Sequence, residues 1–220
     1  MQERDDAVRR AAGHRRSLHR PRTCGVAASV ADVADPFRLL ADRHGLQDTP
    51  GTSPDGLAER YLYSADMAHR YAFGRWWGEP DLARTDVWVL LNPATGDTER
   101  RRRPTLDRCV VRSRADGRMG VLVVNLFAHR HTDPRTLRMV ADPVGPAGDD
   151  ALALLSNAGS RTVAAWGGGG TLHGRSMAVA RLLDAPLCLG TTAAGQPRHP
   201  LYVPNGTPLV AWRPACPAGT

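Results

Sequence analysis

Four short apolar runs, each closed by a polar or glycine motif, constrain this chain more than any other feature. Val87-Trp-Val-Leu-Leu91 precedes Asn92-Pro93, and Val121-Leu-Val-Val124 precedes Asn125. Thr162-Val-Ala-Ala165 precedes Trp166-Gly167, and Leu187-Cys-Leu189 is followed, after a loop, by His199-Pro200. Runs this short, bounded by turn residues and separated by helix-length stretches, read as buried parallel strands. Ligands of such sheets bind outside the carboxyl ends of the strands. Asn92, Asn125, Trp166 and His199 are therefore expected around one crevice.

Between the strands the sequence predicts four helices. Thr105 to Ala115 follows Pro104 with Thr105 as the cap, and Asp133-Pro134 opens a short helix through Val140. Pro146 to Ala158 stops at Gly159, and His173 to Leu183 follows a glycine run. Alternating strands and helices imply an α/β domain whose sheet is four-stranded and mainly parallel. The stretch from Tyr61 to Trp77 is rich in aromatics and arginine, and its periodicity does not choose between helix and hairpin; such clusters are more often core than base-stacking platforms.

At 220 residues and 42% hydrophobic content the chain can bury one sizeable core. The compact domain is expected over residues 60–213. Residues 1–54, with Arg9-Arg10, Arg15-Arg16, Arg20 and Arg22, read as a basic extension, either dispensable or adding non-specific phosphate contacts. Ala27 to Leu40 is a candidate short helix within it.

The formal charge is +7 and all 29 basic side chains are arginine. A GC-rich coding bias accounts for the missing lysine without reference to function. Arginine nonetheless suits phosphate, because its planar fork donates two parallel hydrogen bonds to one group. A basic balance of this size fits DNA or a nucleotide as partner. Cys24, Cys109, Cys188 and Cys216 are scattered, which fits reduced thiols in a cytoplasm. No apolar run approaches the roughly 18 residues that span a bilayer. Oligomeric state is not legible.

The motifs exclude several chemistries. Gly167 to Gly170 could bring backbone N–H groups to a phosphate, but lacks the Lys-Ser/Thr of a P-loop and the spacing of a dinucleotide fingerprint, so no nucleotide cofactor is expected. His129-Arg130-His131 has no Cys or carboxylate at ligand spacing, so no metal is expected either.

Read together, Leu91-Asn-Pro-Ala-Thr-Gly-Asp97, Pro104-Thr-Leu-Asp-Arg-Cys109, Val123 to Pro134, Ala141 to Pro146, Ala164-Ala-Trp-Gly167 and Pro197-Arg-His-Pro-Leu-Tyr-Val-Pro204 resemble the bacterial and phage domain-of-unknown-function family 1643. Two departures stand out. Arg100, Arg101, Arg102 and Arg103 occupy positions that are usually acidic before the Pro-Thr step, and Ala94 and Gly96 replace the usual serine and alanine.

The order of these motifs is also distantly similar to the uracil-DNA glycosylase superfamily. Those proteins are three-layer α/β/α enzymes without metal or nucleotide cofactor, and they cut the base–deoxyribose bond of a flipped nucleotide. The resemblance implies that Asn92 positions the attacking water, while Asn125, with Pro93 and Trp166, holds the base. It further implies that His199 donates to the departing base. Arg100 to Arg103 and Gly167 would meet phosphate, and Asp97 or Asp133 could serve as a base. Two alternatives remain: a nucleic-acid-binding protein without turnover, and an N-glycosidase of free nucleosides or nucleotides in secondary metabolism.

Overall fold

The computed structural model describes residues 35–95 and 103–214. Eight strands form one mixed sheet in the order β1-β2-β3-β5-β4-β6-β7-β8. They are β1 (Gln47–Thr52), β2 (Ala58–Tyr63), β3 (Arg70–Trp76), β4 (Thr85–Leu90), β5 (Gly120–Asn125), β6 (Arg161–Ala164), β7 (Leu187–Cys188) and β8 (Val210–Ala211). The four strands expected from sequence are β4 to β7, and they stand side by side as a parallel block. The sheet is nevertheless twice as wide as expected. β1, β2 and β3 extend it antiparallel beyond β5, and β8 pairs antiparallel with β7.

The extra strands come from segments with weak period-two signals. β1 has the sequence Gln-Asp-Thr-Pro-Gly-Thr and no buried residue. Pro50 lacks a ladder donor, a feature tolerated on an edge strand. The aromatic stretch resolves into the β2–β3 hairpin. Its turn is held by Ser64 Oγ, which accepts from His69 N at 2.9 Å, and by Met67 at φ 60°.

Helices cover both faces, as alternate residues of the central strands require. Val87 and Val89 of β4, with Leu122 and Val124 of β5, pack against α1 (Pro36–His44), α3 (Gly148–Leu155) and α4 (Arg175–Ala180). Trp88, Leu90, Val121 and Val123 face Leu106 and Cys109 of α2 (Pro104–Ala115).

Residues 36–52 thus belong to the compact domain, whereas the sequence reading starts that domain near Arg60. Asp35 caps α1 by accepting from Phe37 N, Pro36 begins it, and Gly45 in the left-handed region ends it. Phe37 and Leu40 are buried in the core. Of the expected Ala27–Leu40 helix, residues 36–40 lie in α1, and residues 1–34 lie outside the described residues.

Of the other helices, α2 begins one residue earlier than read from sequence, and the remaining three are shorter. Thr105 does not cap α2; Pro104 takes its first turn and Arg103 precedes it without a side-chain cap. Asp133-Pro134 opens only a 3-10 turn, Pro134–Arg138. The glycine run forms a 3-10 segment broken at Leu172 and His173, so α4 starts at Arg175. His173 at φ 53° and Gly174 at φ 64° interrupt the helix there.

Strand order explains where a crevice opens. β4 and β6 are neighbours, but the helix following β4 (α2) and the helix following β6 (α4) lie on opposite faces. Connections that leave neighbouring strands toward opposite faces leave a gap at the carboxyl edge. At the other edge, Asp86 is fully buried and binds Ser113 Oγ at 2.6 Å and Arg161 Nε at 2.8 Å. That network is structural.

Candidate functional site

A cavity of about 920 Å³ fills the gap at the carboxyl edge. This falls within the roughly 300–1,000 Å³ typical of small-molecule pockets. Asn92, Asn125, Trp166, Gly167 and His199 all line it, so the motifs after all four parallel strands meet in one place. Arg103 lines it as well. Pro93 is not among the lining residues, and Arg100, Arg101, Arg102 and Asp97 lie outside the described residues.

Asn92 is oriented by its own amide. Its Nδ2 donates to His131 O at 2.8 Å, tying the turn after β4 to the loop after β5. No described residue donates to Oδ1, which remains as an acceptor. Asn125, the last residue of β5, is only 5% exposed, and its Nδ2 is buried without a hydrogen-bond partner among the described residues. An unmet buried donor costs about 1–3 kcal/mol. Asn125 thus places an unmet amide donor among the residues that line the cavity.

His199 has an asymmetric environment. Nδ1 accepts from Leu201 N at 3.4 Å, so the ring proton of the neutral form sits on Nε2. Burial pushes its pKa down to about 4, which keeps the ring neutral at physiological pH. His199 is thus a neutral N–H donor on the cavity wall.

Two expected contacts differ in kind from the sequence reading. The Trp166 indole N–H donates to Gln196 Oε1 at 3.0 Å, and its ring packs edge-on against Trp212. It forms wall and offers no free donor. Gly167 adopts φ +72°, and its N–H donates to Pro197 O at 2.9 Å, so that donor is unavailable to phosphate. The glycine serves close packing instead: a Cβ there would lie 3.3 Å from His199 Cβ.

The candidate bases fare differently as well. The carboxylate of Asp133 caps Arg135 N and binds Arg135 Nε at 3.0 Å, and these contacts hold its pKa below the usual carboxylate range. It does not line the cavity. Among the described lining residues there is no Asp or Glu, while Arg70, Arg103 and Arg198 are present. Arg103 shares the buried carboxylate of Glu59 with Arg75 and lies 4.9 Å over the Phe73 ring.

Arg70, Phe73 and Arg198 were missed as site residues from the sequence. Arg70 and Phe73 sit on β3, which runs antiparallel to β5 and so starts at the cavity edge. The dense arginine–aromatic stretch was their only signal. Arg198 immediately precedes His199 and could have been taken with it. His129 neighbours His69, their ring centroids 5.6 Å apart. Among the described residues no three metal-binding side chains are grouped to hold an ion, and no helix is long and apolar enough to cross a membrane.

A family model described as protein of unknown function (DUF1643) matches residues 70–201. The chain belongs to that family. The match begins at the first cavity residue of β3 and ends within the His199-Pro200-Leu201 turn, so it contains nearly all of the cavity lining. Comparison with curated proteins and with solved structures found no match.

Proposed function

We propose that this DUF1643 protein hydrolyses the N-glycosidic bond of a nucleotide, in DNA or free, on an architecture related to the uracil-DNA glycosylases. The single observation that carries the reading is the pairing of a neutral Nε2–H donor on His199 with the unmet amide of Asn125, in one cavity at the carboxyl edge of the parallel block.

In such hydrolysis the C1′–N bond breaks, its electron pair leaves with the base, and a water oxygen joins C1′. The sugar becomes cation-like and the base anionic before either is neutralised. His199 Nε2–H would donate to the base oxygen that gains charge, a role suited to neutral imidazole held by a backbone contact. Asn92 Oδ1 would accept from the attacking water, and its bond to His131 O keeps that oxygen in place. Asn125 would read the base edge, with Trp166 as the wall beside it. Among the described lining residues no Asp or Glu is present to take the water's proton, which favours slow turnover.

That same lack of a carboxylate favours a second reading, a cavity that binds a nucleotide or strand without cleaving it. Mass spectrometry of bases released from genomic DNA, modified phage DNA and free nucleotides separates the two. Catalysis predicts a free base in stoichiometric excess over protein. Tight binding without any released base selects the binding-only reading.

A further inference from the structure

We infer that the cavity recognises the phosphate of its nucleotide, with Arg198 as the guanidinium that meets it. Three observations carry this inference, which rests on the reading of the cavity as a nucleotide site. The described lining residues include Arg70, Arg103 and Arg198 and no carboxylate. Glu59, which pairs with the lining Arg103, is bound by Arg75 and Arg103 together, so the two guanidinium groups outnumber the one carboxylate. Arg198 is exposed, and the hydrogen bond it makes uses Nε, which donates to Thr191 O at 3.0 Å. No described carboxylate lies within ion-pair reach of Arg198. Anchoring through Nε fixes the plane of the guanidinium and leaves both Nη groups as donors at the cavity wall. A planar pair of donors matches two phosphate oxygens, whereas a neutral ligand would leave the charge unanswered.

Asn125 supplies the independent sign that a ligand belongs here, because its buried Nδ2 lacks an acceptor on the same wall system. A nucleotide answers both needs, with a polar base edge for the amide and an anion for the arginine. The cavity volume of about 920 Å³ leaves room for base, sugar and phosphate together. This assignment also moves phosphate recognition away from Gly167, whose N–H is already used. Neighbouring Arg198 and His199 would then act on opposite ends of one ligand, the phosphate and the base.

The phosphate could be terminal, as in a free nucleotide, or internal, as in a strand. Calorimetry with the four deoxynucleosides, their 5′-monophosphates and an eight-nucleotide mixed-sequence single strand distinguishes these sources. Either phosphate-bearing ligand should bind at least about ten-fold tighter than the matching nucleoside, the scale of one charge-assisted contact. Preference for monophosphates identifies a terminal phosphate, and preference for the strand an internal one. Arg198→Gln should remove most of that advantage while leaving nucleoside affinity and the unfolding midpoint unchanged, and Arg198→Lys should restore part of it. Nucleosides that bind as tightly as their phosphates overturn the inference. So does an Arg198→Gln protein that keeps the full phosphate advantage, or wild-type protein that binds no probe. Phosphate-dependent binding without base release would leave this assignment standing and remove only the hydrolytic step.

Discussion

Replacing Asn125 with leucine should make the ligand-free protein more stable and unable to bind its ligand. Leucine branches at the same carbon, so it fills nearly the same shape while removing the polar atoms. In the wild type, Nδ2 is buried without a partner at a residue only 5% exposed. Removing that unmet donor should return about 1–3 kcal/mol. For a domain of this size each kcal/mol moves the melting temperature by roughly 2–4 °C, so the rise should be about 2–12 °C. Differential scanning calorimetry and urea unfolding of both proteins without ligand measure it. Adding a nucleoside 5′-monophosphate should then narrow or invert the order, because wild type gains about 2.7 kcal/mol at a ligand concentration 100 times Kd and the variant gains nothing. An Asn125→Leu protein less stable than wild type by 1 kcal/mol or more would refute the reasoning. The amide would then be satisfied in solution and its burial would say nothing about a ligand.

His199 should titrate near pH 4 by NMR, well below an ordinary histidine. Because its pKa is lowered in the folded state, its contribution to stability is complete above about pH 6.5 and is lost as pH falls from there toward 4. A ring pKa near 6.5 would remove the case for a buried neutral donor. If cleavage occurs, His199→Ala should slow single-turnover base release by about 10²–10³-fold. Asn125→Asp should change which base is preferred, since a carboxylate offers no amide donor, and competition assays between substrates would show it. Gly167→Ala should destabilise the protein by about 1–2 kcal/mol, the cost of a left-handed backbone for an L-residue, and should also slow base release by crowding His199. Unchanged stability in urea would mean that this turn relaxes freely.

The parallel block was legible because its strands are buried on both sides and read as continuous apolar runs. Val87, Val89, Leu122 and Val124 face one helical layer, and Trp88, Leu90, Val121 and Val123 the other. The antiparallel half was less legible for the same physical reason. β1 carries Pro50 and Gly51 and buries nothing, and β8 is two exposed residues, so neither leaves a hydrophobic signature. Convergence of Asn92, Asn125, Trp166 and His199 followed from topology and needed only strand direction. Their chemistry did not follow. Whether the Trp166 and Gly167 N–H groups are free depends on Gln196 and Pro197, which belong to a loop 30 residues away in sequence for Trp166. Arg70 and Arg198 were hard to read as site residues because charge on a strand end or loop reads as solvated surface, and only the fold brings both to the cavity wall.

The central claim is that water attacks C1′ beside Asn92 while the base leaves toward His199. The most direct test is incubation of the protein with a cleaved substrate in ¹⁸O-labelled water, followed by mass spectrometry of both products. The account predicts free base without label, one ¹⁸O on the sugar carbon, and loss of both signals in parallel in Asn92→Ala protein that still binds substrate. Label in the base, or base release that Asn92→Ala leaves at the wild-type rate, would contradict it.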